Sequence, residues 1–84
     1  VKLARKWGYM MNGIEHNQAS IILAKNNFWG RSITASGASS DPMRGKYFGP
    51  HTPGFHLIDF NDICALEDQL IKDPNVCAVM FEPI

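Results

Sequence analysis

Two short runs of this sequence hold the side chains best suited to chemistry. One is Asn26-Asn27-Phe28-Trp29-Gly30-Arg31, and the other is Glu82-Pro83. Each follows an apolar run, Ile21-Ile22-Leu23-Ala24 in the first case and Val76-Cys77-Ala78-Val79-Met80-Phe81 in the second. A continuous apolar run, as opposed to an alternating one, marks a strand covered on both faces and hence a parallel sheet flanked by helices. In such a sheet, ligands bind outside the carboxyl ends of the strands, and parallel strands place both runs on that one edge. Two aromatic faces, a guanidinium and a carboxylate would then meet in one crevice. Aromatic faces stack flat conjugated molecules, and the arginine fork matches a carboxylate. The expected ligand is a small anionic molecule beside a flat heteroaromatic ring. A plainer reading stays open beside this one. In it Phe28 and Trp29 only cover the sheet edge, Arg31 is a solvated residue at a helix start, and Glu82 pairs with a lysine elsewhere.

Other constellations are weaker. His51, His56 and Asp59 have no spacing that fits one helix face, so a metal site is not expected there. Ser36, Ser39, Ser40 and Asp41 lack the glycine-flanked elbow of a serine nucleophile, and Asp41-Pro42 reads as a turn. No dinucleotide-binding or phosphate-binding glycine motif occurs. Lys25, at the end of the first strand, has the chemistry of a Schiff base but the position of a solvated lysine.

The elements that must position these residues follow from periodicity. Residues 1–11 read as an amphipathic helix with Leu3, Ala4, Trp7, Met10 and Met11 as its core stripe, stopped by Asn12-Gly13. Leu57-Ile58-Asp59-Phe60 is a further strand. A helix over 62–72 carries the stripe Ile63, Leu66 and Leu70, with Asn61 or Asp62 as its cap and Asp73-Pro74-Asn75 as its end. Residues 31–40 suggest a short helix, and 39–56 a long loop of the kind that usually serves a function.

With 84 residues, the chain allows one domain at most. Eight basic and eight acidic side chains cancel, which argues against a nucleic-acid partner and against a polybasic membrane surface. The apolar runs are too short to span a membrane. Cys64 and Cys77 sit in apolar patterns and are expected as buried, reduced thiols of an intracellular protein, not as a disulfide framework. The sequence opens within a helical pattern and closes just after a core strand, so it is expected to be an internal piece of a larger domain.

In its ordered motifs the sequence resembles the ornithine aminotransferase family, a branch of the class III pyridoxal-phosphate-dependent aminotransferases. The resemblance is carried by Val1-Lys2-Leu3-Ala4-Arg5-Lys6-Trp7-Gly8-Tyr9, by Asn27 through Arg31, by Ser40-Asp41-Pro42, Phe48-Gly49-Pro50 and Pro53-Gly54-Phe55, and by Asp73-Pro74-Asn75-Val76 and Glu82-Pro83-Ile84. Trp29 stands where most class III relatives have His, which favours the ornithine branch. Ser32, where Thr is usual, and the less typical stretch 43–51 depart from the pattern.

The resemblance implies an α/β fold: part of the mostly parallel, helix-flanked sheet of the large domain of an aspartate-aminotransferase-type (fold type I) enzyme, with no complete domain in residues 1–84. It implies pyridoxal phosphate as cofactor, with Phe28 packed on its ring and Trp29 beside it. Arg31 would hold the substrate α-carboxylate, and Glu82 would lie close to cofactor and substrate. The reaction implied moves the δ-amino group of ornithine to 2-oxoglutarate. The implied assembly is a homodimer in the mitochondrial matrix, or in the cytosol. Neither Lys2, Lys6, Lys25, Lys46 nor Lys72 matches the family's Schiff-base lysine, so the 84 residues alone are expected to be inactive. The alternatives are another class III ω-aminotransferase, or a silent truncated product acting only in interactions.

Overall fold

The computed structural model describes residues 1–25, 27, 29, 30, 32, 34, 35, 38 and 47–81. Its elements run α1 (Lys2–Met11), β1 (Ser20–Ala24), β2 (Phe55–Ile58), α2 (Ile63–Lys72) and β3 (Val76–Met80). The three strands form one parallel sheet in the order β2-β1-β3. β1 is the middle strand, and all five of its residues are buried. Its unbroken apolar run is explained by that position, since both neighbours and both faces are occupied.

The two helices cover opposite faces. Ile21, Leu23 and Ala38 form the buried cluster of one face, with Ala4 of α1, Phe55, Leu57, Cys77 and Ala78 packed against it. Ser20 and His56 alternate with Ile21 and Phe55 and therefore point to the other face. There both bond Asp73, the residue that ends α2. β3 follows β1 with one irregularity. Ser20 pairs with Val76 but Ile21 pairs with Ala78, which leaves Cys77 as the extra residue.

Several expectations need correction. The stripe of α1 does not face the core: Leu3 is 80% exposed and Met11 74%, and Met10 and Trp7 are exposed as well. The face that meets the sheet is the one carrying Ala4, Arg5, Gly8 and Tyr9, with Gly8 fully in contact. The reason is close approach. A Cβ on Gly8 would lie 2.8 Å from Cys77 Cβ and 3.0 Å from Ile14 Cδ1, so only the glycine face lets the helix axis come this near. α2 is likewise rotated, with Ala65, Leu66 and Gln69 turned inward while Ile63 and Leu70 are exposed. Cys64 is exposed and Cys77 half-buried, so neither is a fully buried thiol.

β2 begins two residues earlier than its apolar run suggests and ends at Ile58, leaving Phe60 exposed. The expected cap of α2 is found: the Asp62 carboxylate accepts from the Ala65 amide at 3.0 Å. β2 and β3 are the two edge strands, and Val79, Met80 and Phe81 at the end of the third apolar run are exposed, so that run is not matched by cover on both faces.

Candidate functional site

The chain that leaves β1 turns at once and returns over the sheet. Asn27 starts the turn. Its Nδ2 donates to the Ala24 carbonyl at 2.8 Å and to the Ala38 carbonyl at 3.0 Å. Two carbonyl oxygens facing one end of a carboxamide fix that end as the nitrogen. Gly30 follows with φ +144°, a backbone conformation that side-chain-bearing residues rarely adopt. Ser32 then caps the helical stretch at Thr34 and Ala35. Its Oγ accepts from the Ala35 amide at 3.1 Å, and the Ala38 amide donates to the Thr34 carbonyl. Thr34 and Thr52 join their hydroxyls at 3.1 Å, which ties this stretch to the segment entering β2.

Of the four residues expected at the site, Trp29 is described. Its half-buried indole packs on the core cluster, with its ring 6.3 Å from that of Phe55 and tilted by 46°. Phe55 pairs with Ile21 near the start of β1, so the indole reaches back across the sheet face from the carboxyl end. Trp29 Nε1 and Asn27 Oδ1 are both buried and have no hydrogen-bond partner. A buried donor and a buried acceptor left open in one loop are exceptions that call for a partner from outside the described residues. Phe28, Arg31 and Glu82 lie outside the described residues, as do Ser36, Ser39, Ser40 and Asp41.

The remaining candidates are accounted for by local partners. Lys25 Nζ sits 3.3 Å from Asp59 Oδ1, both side chains well exposed, which is a solvated surface pair. His56 Nε2 lies 2.9 Å from Asp73 Oδ2, so His56 and Asp59 point to different partners. Among the described residues no group of three His, Cys, Asp or Glu could hold a metal ion, and no helix is long and apolar enough to cross a membrane.

Among the described residues Asp73 is the most heavily bonded carboxylate. It accepts from Ser20 Oγ at 2.5 Å and from the Asn75 amide at 2.9 Å, and it faces His56. The Ser20 hydroxyl above all, helped by Asn75 and His56, holds this carboxyl below its ordinary value against the opposing pull of burial. Burial pushes the Cys77 thiol up, so it is a packing group and not a ready thiolate.

One feature of the carboxyl edge is not readable from the sequence. An open apolar hollow of about 320 Å³ lies between the start of α2 and the end of β3, lined by Ile58, Phe60, Ile63, Leu66 and Phe81, with Asn61 and Asp62 at its rim. The Phe60 and Phe81 rings meet edge to face at 6.5 Å. The hollow offers shape and apolar surface, and no free acid or base, because Asp62 is committed to the helix cap.

No family model matches the chain. It is 59% identical over 83 residues, 99% of its length, to a mitochondrial ornithine aminotransferase of Drosophila ananassae, of which it spans 19%. It is 51% identical, with the same coverage, to that of Rattus norvegicus. In structure it is similar to an ornithine aminotransferase from Toxoplasma gondii, with TM-score 0.94 and 52% identity over 99% of this chain and 20% of that one. A second structure of the Toxoplasma gondii enzyme, crystallised with oxidised glutathione, has partial occupancy of PLP at its active site. The chain therefore spans about a fifth of the length of the curated relatives it matches.

Proposed function

We infer that this chain, which in sequence and fold corresponds to one segment of the ornithine aminotransferase family, forms part of the large domain of a pyridoxal-phosphate enzyme. That enzyme transfers the δ-amino group of ornithine to 2-oxoglutarate, giving glutamate semialdehyde and glutamate. The observation that carries the reading is the match along 99% of the chain, at 59% identity to one relative and TM-score 0.94 to another. In this reading the full-length enzyme assembles as a homodimer. Placement in the mitochondrial matrix fits the relatives described as mitochondrial.

Of the residues that this reading assigns to the cofactor, Trp29 is the one described. Its ring lies against Phe55 on the core side, and its buried Nε1 has no hydrogen-bond partner, a donor that an acceptor oxygen of the cofactor would satisfy. When bound, pyridoxal phosphate supplies the electron sink for the chemistry at the amine-bearing carbon. In this reading Phe28 packs on the ring face, Trp29 lies beside it, and Glu82 stands close to cofactor and substrate. Arg31 grips the α-carboxylate of ornithine through two parallel hydrogen bonds, which turns the distal amine toward the reacting centre.

The test compares two amine donors in the full-length enzyme, ornithine and an ω-amine with no α-carboxylate. Arg31→Ala removes one partner of a desolvated charge pair, worth roughly 2–5 kcal/mol, so kcat/KM for ornithine should fall by about 30-fold or more. The ω-amine should lose far less, and Arg31→Lys should restore only part, because an ammonium lacks the fork. Equal losses for both donors would make Arg31 a structural residue and remove the ornithine assignment.

A further inference from the structure

We propose that Asn27 is a positioning residue of the active-site segment, setting the placement of residues 28–31 by clamping both ends of the loop that contains them. The inference rests on the reading that those residues face cofactor and substrate.

An asparagine after a strand ordinarily satisfies a local turn, and the bond to Ala24, three residues back, is of that kind. The second bond is different. It reaches the Ala38 carbonyl, eleven residues on, and so closes the segment from Asn27 to Ala38 into a ring held by one amide nitrogen. Both anchors are buried: Ala24 is the last residue of the buried strand, and Ala38 is 1% exposed within the core cluster of Ile21 and Leu23. The described residues between them, Trp29 and Gly30 among them, inherit two fixed ends in place of one. Ordering these residues in advance removes freedom that substrate binding would otherwise have to remove. Asn27 Oδ1 takes no part in the clamp and stays buried without a partner, so it is the donating end that the fold uses.

The experiment uses the full-length enzyme with Asn27→Asp and Asn27→Ala, read per cofactor-loaded site. Asn27→Asp keeps the size but turns an ionised acceptor toward two carbonyls, so it should be the more damaging. The expected loss in kcat/KM for ornithine is on the order of 10–100-fold, the size of effect that a misplacement of about 1 Å produces. It should fall mainly on KM and be larger for ornithine than for an ω-amine without an α-carboxylate. If a lowered melting temperature is the only change and kcat/KM per loaded site stays at the wild-type value, the clamp is structural and the proposal fails. Should Asn27→Asp not fold, Asn27→Ala decides by the same criterion. Arg31→Ala separates the two levels. Unchanged donor selectivity there overturns the functional reading itself, whereas lost selectivity there with unaffected Asn27 variants overturns only the clamp.

Discussion

Ser20 Oγ donates to Asp73 Oδ2 at 2.5 Å, joining the first residue of β1 to the residue that ends α2, 53 positions later. The same carboxylate holds His56 of β2 and the Asn75 amide that leads into β3. One side chain thus ties all three strands at their amino ends. Removing the Ser20 donor should destabilise the full-length protein by roughly 1–2 kcal/mol, the low end for a bond to a charged group, because Asp73 is partly exposed. Ser20→Ala followed by denaturant titration measures it; a change below about 0.3 kcal/mol would mean that water replaces the hydroxyl.

The pH dependence of that staple has a fixed sign. Asp73 is held below its ordinary value of 3.8. A depressed carboxylate contributes stability that is present above the unfolded value and lost as the pH falls through the folded one. The stability gap between wild type and Ser20→Ala should therefore be full above about pH 5 and close below 3.8. A gap that stays constant down to pH 2 would assign the effect to packing.

Gly8 predicts a packing limit. An added Cβ would meet Cys77 Cβ at 2.8 Å, an atom fixed to the β3 backbone that cannot swing aside. Gly8→Ala gains up to about 1 kcal/mol of helix propensity, but overpacking typically takes away about 1–3 kcal/mol. A net loss in melting temperature is expected. A stabilised variant would show that α1 can lift from the sheet freely.

Phe28→Ala in the full-length enzyme should weaken cofactor retention by about 0.5–1.5 kcal/mol, the part of a stacked ring's contribution beyond its area. Equilibrium dialysis of the cofactor measures this directly. Unchanged affinity would leave Phe28 as sheet cover.

Lys25→Ala should leave the proposed transaminase activity of the full-length enzyme as it is. Its pair with Asp59 is exposed on both sides, and such pairs are worth about 0–1 kcal/mol. A large loss of turnover would give Lys25 a part in the chemistry.

The central strand was legible because its cause is local: four consecutive apolar residues need cover on every side. The α2 cap was legible for the same reason, since Asp62 reaches only three residues ahead. The facing of α1 was not. Periodicity reveals an apolar stripe but not which body covers it, and here the close contact belongs to Gly8, which has no hydropathy to show. The start of β2 was hidden by His56, whose polar ring breaks the run and is matched by Asp73, a residue 17 positions away. Of the expected site, the sequence offered Trp29, whose indole the structure packs on the core cluster; Phe28, Arg31 and Glu82 lie outside the described residues. The second bond of Asn27 was not legible, because an Asn after a strand looks the same whether it closes one turn or a whole loop.

The order β2-β1-β3 has a consequence in time. The middle strand emerges first during synthesis, and at about 5–20 residues per second the stretch between Ala24 and Val76 takes several seconds to follow. Throughout that interval Ile21-Ile22-Leu23-Ala24 has no completed neighbour on the β3 side. Sheets that join distant segments are slow to form for this reason, and an unpaired apolar strand invites other chains. A nascent copy of this segment is therefore most vulnerable before Val76 appears, and a chaperone that binds extended apolar peptides would find its target at Ile21–Ala24.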